Sequence, residues 1–383
     1  FGLLIVSLLL WEAWQKDYVR PQQAIQNAAV EEIAADLPDI AAIADTNQQE
    51  LPTIPSTENS ASLPEIAQDL AAVSADKIHV KTDVMDIYID IKGGDIRDLA
   101  LLKYPVESKT PDVPVQFLAD TASNFFVTQS GLRSNTSAPT HYDNYVAEQS
   151  DYELSDGEDA LVVPLHWQTE DGLRVTKTYH FKRDSYLIDV DYQIENSTGE
   201  VFSAYPYAQF NRVRPEEDSG FIYTYTGAVF SSKGNEYEKV DFDDLEDAAF
   251  NRSANDGWTA MIQHYFVAAL IPQASEQEIG FYGKAINDRN YTAGLRMPAI
   301  TVQDGDSQQA KYSMYLGPKE HKRLEVIKDN LDLTVDYGVL TIISQPLFTV
   351  MEWIHKLTNN WGWSIVFLTV LIKLAFYRLS AAS

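Results

Sequence analysis

A lysine set inside an otherwise apolar stretch is the residue of this chain whose type and position most invite a functional role. Trp361 to Tyr377 reads WGWSIVFLTVLIKLAFY, and Lys373 is its single charge. At roughly 1.5 Å of helical rise per residue, Lys373 lies about 18 Å from Trp361. That is just past the midplane of a hydrocarbon core about 30 Å thick. A charge at such a depth costs at least about 2.5–3.5 kcal/mol, so it does not face lipid without compensation. Its four methylenes can carry the ammonium to the nearer headgroups, or it can line a polar cavity between helices. The second reading needs helices beyond the stretch that carries it. Other chemistry is thinly supported. The chain has no HExxH, no GxSxG and no phosphate-cradling glycine loop. Its seven histidines (79, 141, 166, 180, 264, 321 and 355) share no ligand-like spacing, although His166 and His180 could meet across neighbouring strands. The acidic run Asp241–Asp247 lacks the spaced oxygens and glycine of a calcium loop and reads as a solvated face. No catalytic residues, no metal site and no cofactor are expected.

The elements that must position Lys373 are helical. Trp361 and Trp363 open the stretch and Tyr377 closes it, as amphipathic aromatics do at membrane interfaces, so residues 359–383 are expected to hold a membrane span and the start of a cytoplasmic region. Ahead of it, Leu347, Val350, Ile354 and Leu357 recur at three- and four-residue steps, with Trp353 beside them. That spacing predicts an amphipathic helix lying in the interface, within residues 336–358 and beginning after Ser344-Gln345-Pro346. At the other end, FGLLIVSLLLWEAW is apolar up to Trp11 and Trp14. It is expected to be the outer part of a first membrane helix (residues 1–14) whose beginning precedes Phe1.

Between these segments the pattern is different. Residues 15–76 are rich in Ala, Gln, Glu, Asp and Pro with few aromatics, and are expected to form a disordered acidic linker. At Lys77 the period becomes two: Ile78, Val80, Thr82 and Val84 alternate with polar neighbours, and Met85 to Ile91 repeats the pattern before Gly93-Gly94. Similar runs follow at Ala160–Trp167, Leu173–Phe181, Tyr186–Ile194, Gly220–Phe230, Trp258–Ile271, Glu278–Tyr282 and Lys311–Leu316. Turn signals such as Asp156-Gly157, Asp171-Gly172 and Asp304-Gly305 separate them. Many strands at this spacing predict a large, mainly β sandwich over residues 77–316. Residues 317–335 are expected to be a helical connection, with Pro318 in the first turn of a helix reaching Lys328.

Composition bounds the partners. A formal net charge of −27 over 383 residues offers no basic surface for nucleic acid. The absence of cysteine excludes disulfides and thiolate metal sites. No carboxylate follows Glu352, and Arg378 lies beyond the far end of the last apolar stretch. Both apolar segments turn their tryptophans toward the acidic domain, so positive-inside logic puts that domain outside the cytoplasm.

Several motifs in combination resemble the YidC membrane-protein insertases of Gram-negative bacteria. They are LDLTVDYG at 331–338, ISQPLF at 343–348, Trp353-Ile-His355 and Asn360-Trp-Gly362, together with VKTDV at 80–84, Gly93-Gly-Asp95 and Tyr104-Pro105. The resemblance runs from the first apolar segment to the end of the chain. It implies a periplasmic β-supersandwich of mutarotase-like type without known catalysis, an interfacial helix, and a five-helix membrane core. It also implies that Lys373, where arginine is the commoner occupant, projects into a hydrophilic groove that receives nascent inner-membrane proteins. The implied partners are those substrates, the lipid bilayer, the Sec translocon with its accessory subunits, and the ribosome. Two departures stand out. Arg378 replaces the usual proline after tyrosine, and the chain stops at Ser383, before the remaining spans of such a core. The alternative reading is a membrane-tethered periplasmic module that binds carbohydrate or acts as a mutarotase.

Overall fold

The structure, a computed structural model, describes residues 76–215, 225–287, 289–335 and 341–377. Trp11, Trp14, the acidic linker up to residue 75 and Arg378 lie outside the described residues. The chain divides into two units, Phe1–Pro318 and Lys319–Ser383.

The described residues of the first unit form twenty strands and one short helix. Its strands begin with β1 (Lys77–Lys81), β2 (Met85–Asp90), β3 (Asp95–Pro105), β4 (Pro114–Leu118), β5 (Phe126–Ser134), β6 (Val146–Ala147) and β7 (Asp151–Glu153). The middle of the unit holds β8 (Ala160–Gln168), β9 (Leu173–Lys182), β10 (Leu187–Asn196), β11 (Phe202–Val213), β12 (Gly227–Ser232) and β13 (Asn235–Val240). Helix α1 (Phe242–Asp247) follows, then β14 (Phe250–Ala254), β15 (Gly257–Ile262) and β16 (Phe266–Pro272). The last four strands are β17 (Ile279–Ala285), β18 (Asn290–Arg296), β19 (Ile300–Val302) and β20 (Ser307–Pro318).

They form three sheets. The largest has nine strands in the order β13-β12-β15-β16-β20-β10-β9-β8-β6; a second has β14-β17-β18-β11-β19 with β5 also on β11; the third is β4-β3-β2-β1-β7. Period-two burial explains the centre of the large sheet. In β9, Leu173, Val175, Lys177, Tyr179 and Phe181 are buried, and in β10, Ile188, Val190, Tyr192 and Ile194. Antiparallel register puts Tyr179 opposite Val190 and Lys177 opposite Tyr192, so one face of both strands turns inward. The hairpin turns use glycine where φ is positive, as at Gly157, Gly172 and Gly305.

Three local expectations need correction. Trp258–Ile271 is two strands, because residues 263–265 turn the chain and the Gln263 amide donates to the Phe266 carbonyl at 2.9 Å. Pro318 does not open a helix. It ends β20 opposite Phe266, and α2 (His321–Ile327) starts after Glu320. Pro346 does not precede the next helix but lies inside it: α3 runs Thr341–Thr358, and the missing proline N–H forfeits one intrahelical bond.

The second unit continues from α2 through a 3-10 turn, Leu331–Thr334, to α3 and then α4 (Trp361–Ala375). No helix among the described residues is long and apolar enough to cross a membrane. Helix α4 has 15 residues, about 22 Å at the usual rise, against about 30 Å of hydrocarbon. The full span expected for residues 359–383 is therefore not present in the described part.

Candidate functional site

Helices α3 and α4 pack against each other around a corner built by polar side chains. The Asn360 side chain caps α4 by accepting from the amides of Gly362 (2.9 Å) and Trp363 (3.3 Å), two donors that the first helical turn leaves unsatisfied. Thr358 Oγ1 donates to the Ile354 carbonyl at 3.1 Å and lies 3.0 Å from Ser364 Oγ, which donates to the Asn360 carbonyl at 2.8 Å. The His355 ring stacks on Trp361 at 4.0 Å between centroids. Asn359 takes the left-handed conformation that turns the chain between the helices.

Burial on α4 then locates Lys373. Ser364 is buried and Leu368 and Ile372 are half-buried, marking one covered face. Lys373 is nine residues beyond Ser364, and nine steps of about 100° bring it to the opposite side of the helix. It is exposed there, sharing that side with Gly362, Val366 and Thr369. In the last turn its charge also complements the helix dipole.

On α3 the covered stripe is Leu347, Met351, Ile354 and Thr358, with Ile354 buried and Val350 half-buried. Trp353 and Leu357, expected on or beside the apolar stripe, are exposed, as are Trp361, Trp363 and Tyr377 on and after α4. Thr358 is held at the corner by its bonds to the Ile354 carbonyl and Ser364.

The two strand histidines pair locally and do not meet each other. His166 lies opposite Thr176 and His180 opposite Val162; His166 contacts Thr176 and Glu148, and His180 contacts Asp191. The acidic run forms α1, where Asp243 and Glu246 hold Arg214. No cluster fit for a metal ion occurs among the described residues.

The sequence reading missed a buried ion pair in the sandwich. Lys177 Nζ, fully buried, donates to the Gly93 carbonyl at 2.9 Å and to Asp95 Oδ1 at 3.1 Å. The Ser130 amide donates to the same Asp95 oxygen at 3.0 Å. The rings of Tyr145, Tyr179 and Tyr192 surround the ammonium at 5.4–5.9 Å. Burial raises the Asp95 carboxyl above its ordinary range against the opposing pull of Lys177. Burial likewise lowers Lys177, against the opposing charge of Asp95. Sealed from solvent, the pair cannot reach a solute; it ties the Gly93-Gly94 turn to β9. The available signal was Lys177 itself, a lysine at an inward position of an alternating strand.

Comparison with known proteins decides the family. A family profile described as the YidC periplasmic domain matches residues 77–350. The chain belongs to the YidC family. Proteins named membrane protein insertase YidC match it along its length. That of Nitrosococcus oceani is 41% identical, covering 100% of this chain and 68% of the relative. That of Methylococcus capsulatus is 40% identical, covering 98% and 66%, and that of Thioalkalivibrio sulfidiphilus 37%, covering 100% and 69%. The chain thus spans about two thirds of the length of these YidC relatives. Insertion of membrane proteins, a non-enzymatic role, is the activity their name states. The sandwich is the periplasmic domain of a YidC protein. Among solved structures, a galactose mutarotase related enzyme from Lactobacillus acidophilus aligns at a TM-score of 0.40 and 9% identity, covering 63% of this chain and 97% of that one.

Proposed function

We propose that the protein inserts and helps fold proteins of the inner membrane, alone or with the Sec translocon, and that Lys373 is the cation of its hydrophilic groove. Helix α3 lies in the membrane interface on the periplasmic side, and α4 enters the bilayer from it. Nascent membrane proteins present a polar flank to the groove. The ammonium attracts carboxylates on that flank while the adjoining apolar segment moves into lipid, and no bond is made or broken. The Sec translocon with its accessory subunits and the ribosome are the further partners of this scheme.

The observation that supports the reading is the side of α4 on which Lys373 sits. Lys373 is exposed on the side of α4 away from the face that α3 covers, one turn from Thr369 on the same side. A hydroxyl one turn away suits a wet setting between helices better than lipid. In such a setting a cation lining a polar cavity is less costly than one in lipid.

The test compares insertion rates of a substrate with an acidic translocated flank and one with a neutral flank, using the complete protein. Lys373→Glu should slow the acidic substrate by at least tenfold and spare the neutral one. Lys373→Arg should retain full activity and Lys373→Ala an intermediate level. Unchanged insertion of the acidic substrate by Lys373→Glu would remove charge attraction from the mechanism.

A further inference from the structure

We propose that Arg212, recessed at one end of the sandwich, binds a small oxyanion of the carboxylate or phosphate type. Arg212 lies in β11 between Phe126 of β5 and Tyr291 of β18. Strand alternation puts its side chain on the same face as Phe210, which is buried in the core. Two contacts hold it. Nη1 donates to the carbonyl of Ile262, the last residue of β15, at 3.3 Å. The guanidinium lies over the Phe126 ring, 4.7 Å from its centre. Only 3% of the residue is exposed, and no carboxylate pairs with it among the described residues.

A buried guanidinium without a counter-charge stands out in this chain, which has 56 acidic residues against 29 lysines and arginines. Lys177, also buried, has Asp95 at 3.1 Å, and Arg214, two residues on, holds Asp243 and Glu246. Around Arg212 the segments 122–126, 210–215, 225–228 and 262–266 contain no carboxylate. Burial alone lowers the guanidinium, to about 10, so it keeps its charge at neutral pH. Such a charge is costly unless paired, and an anion from outside supplies the pair. Nε and Nη2 form the fork that a carboxylate or phosphate accepts with two oxygens. Neither nitrogen is closed off from solvent, as the Nε atoms of Arg97 and Arg133 are. Phe126 packs on Phe117 and Phe210 at 5.7 and 5.9 Å between ring centroids, so the surroundings are apolar and strengthen a charge-assisted bond. The narrow opening favours a small ion.

Thermal unfolding of the full chain in detergent micelles, followed by the circular dichroism of its β-structure, tests the proposal. Sodium phosphate and sodium acetate are titrated separately, at an ionic strength held constant with sodium chloride. The midpoint should rise saturably with at least one of them, by about 3–5 °C at a roughly tenfold excess over the Kd. A response to acetate assigns the site to carboxylates, and one to phosphate assigns it to phosphoryl groups. Arg212→Met removes the charge at similar volume, so it should abolish the response and leave stability in chloride unchanged or raised. A rise that is linear in phosphate and equal in Arg212→Met is the general effect of an excluded salt and overturns the proposal. So does a wild type indifferent to both ions, which makes Arg212 a clip on the Ile262 carbonyl and nothing more. Should Arg212→Met fail to fold, Arg212→Lys keeps the charge without the fork, and titration calorimetry should find its affinity about tenfold weaker than the wild type's. Equal affinities would place the anion elsewhere and overturn the assignment to Arg212.

Discussion

Lys177 carries the main residue-scale prediction because its charge has a single carboxylate partner inside the sandwich. Lys177→Met keeps the volume and removes the ammonium, leaving Asp95 buried without its counter-charge. Breaking such a pair costs about 3–5 kcal/mol, whereas replacing both members with apolar residues is often close to neutral. Chemical unfolding should therefore show a large loss for Lys177→Met and recovery of most of it on adding Asp95→Leu. The pH dependence has a definite sign. Asp95 titrates above its ordinary value in the folded chain, so its contribution is present below the unfolded value of 3.8 and is lost as pH rises through the folded one. Removing Lys177 strengthens that effect, so the deficit of Lys177→Met should be greatest at neutral pH and shrink toward pH 4. A flat deficit across that range would mean that lost packing, not lost charge, is the cause. Gly93→Ala tests the same site from the backbone. At φ +76 a β-carbon there would collide with the Asp95 carboxylate and the His141 carbonyl, so a loss of more than about 1 kcal/mol is expected.

At the scale of elements, the corner between α3 and α4 depends on Asn360. Asn360→Ala removes the cap of α4 and should cost about 1 kcal/mol of helix stability. Hydrogen exchange reads this directly: the amides of Gly362 and Trp363 should exchange about fivefold faster, while amides in the middle of α3 stay unchanged. Equal acceleration in both helices would mean that Asn360 organises the whole unit and not one helix start. This corner was partly legible in the sequence. Asn359-Asn360 marked the break, but the bonds of Thr358 and Ser364 that hold the corner are not encoded in spacing. The sandwich was legible where one strand face is buried and the other wet. Strands β8, β9 and β10 alternate and were read directly. Strands β5, β11 and β18 were not, because both of their faces are enclosed and their polar side chains turn inward too. Gln209 donates to Gln129 at 2.9 Å and accepts from Tyr282 at 2.7 Å, and Asn211 lies opposite Thr292. Buried polar residues erase the period-two signal. Lys373 was legible because the surrounding stretch is apolar on every side, whereas Lys177 was hidden among exposed charges of the same strand.

At the scale of the whole molecule, the tyrosines buried in the sandwich set its response to alkali. Tyr145, Tyr179 and Tyr192 are all fully buried, and burial pushes each of them well above the ordinary value of 10. Tyr312 is raised for the same reason. Tyr291 is pushed up to about 12 by burial and by its hydrogen bond to Glu246. A group raised in the folded state stabilises fully below its unfolded value and loses that contribution as pH climbs through the folded one. The relevant window opens near pH 10. Above it the unfolded chain releases these protons and the folded chain retains them. Each such tyrosine lowers stability with a slope approaching about 1.4 kcal/mol per pH unit. Urea midpoints should therefore be nearly flat from pH 8 to 9.5 and fall steeply by pH 11. Tyrosinate absorbance on the native protein should lag the exposed tyrosines and then rise together with the loss of β-structure. Smooth titration of all the tyrosines near pH 10 with the fold intact would contradict the assignment. Tyr192→Phe separates the groups: its hydroxyl donates to Ser130 Oγ at 2.9 Å, so the variant should lose about 1 kcal/mol at pH 8 yet show a shallower fall above pH 10.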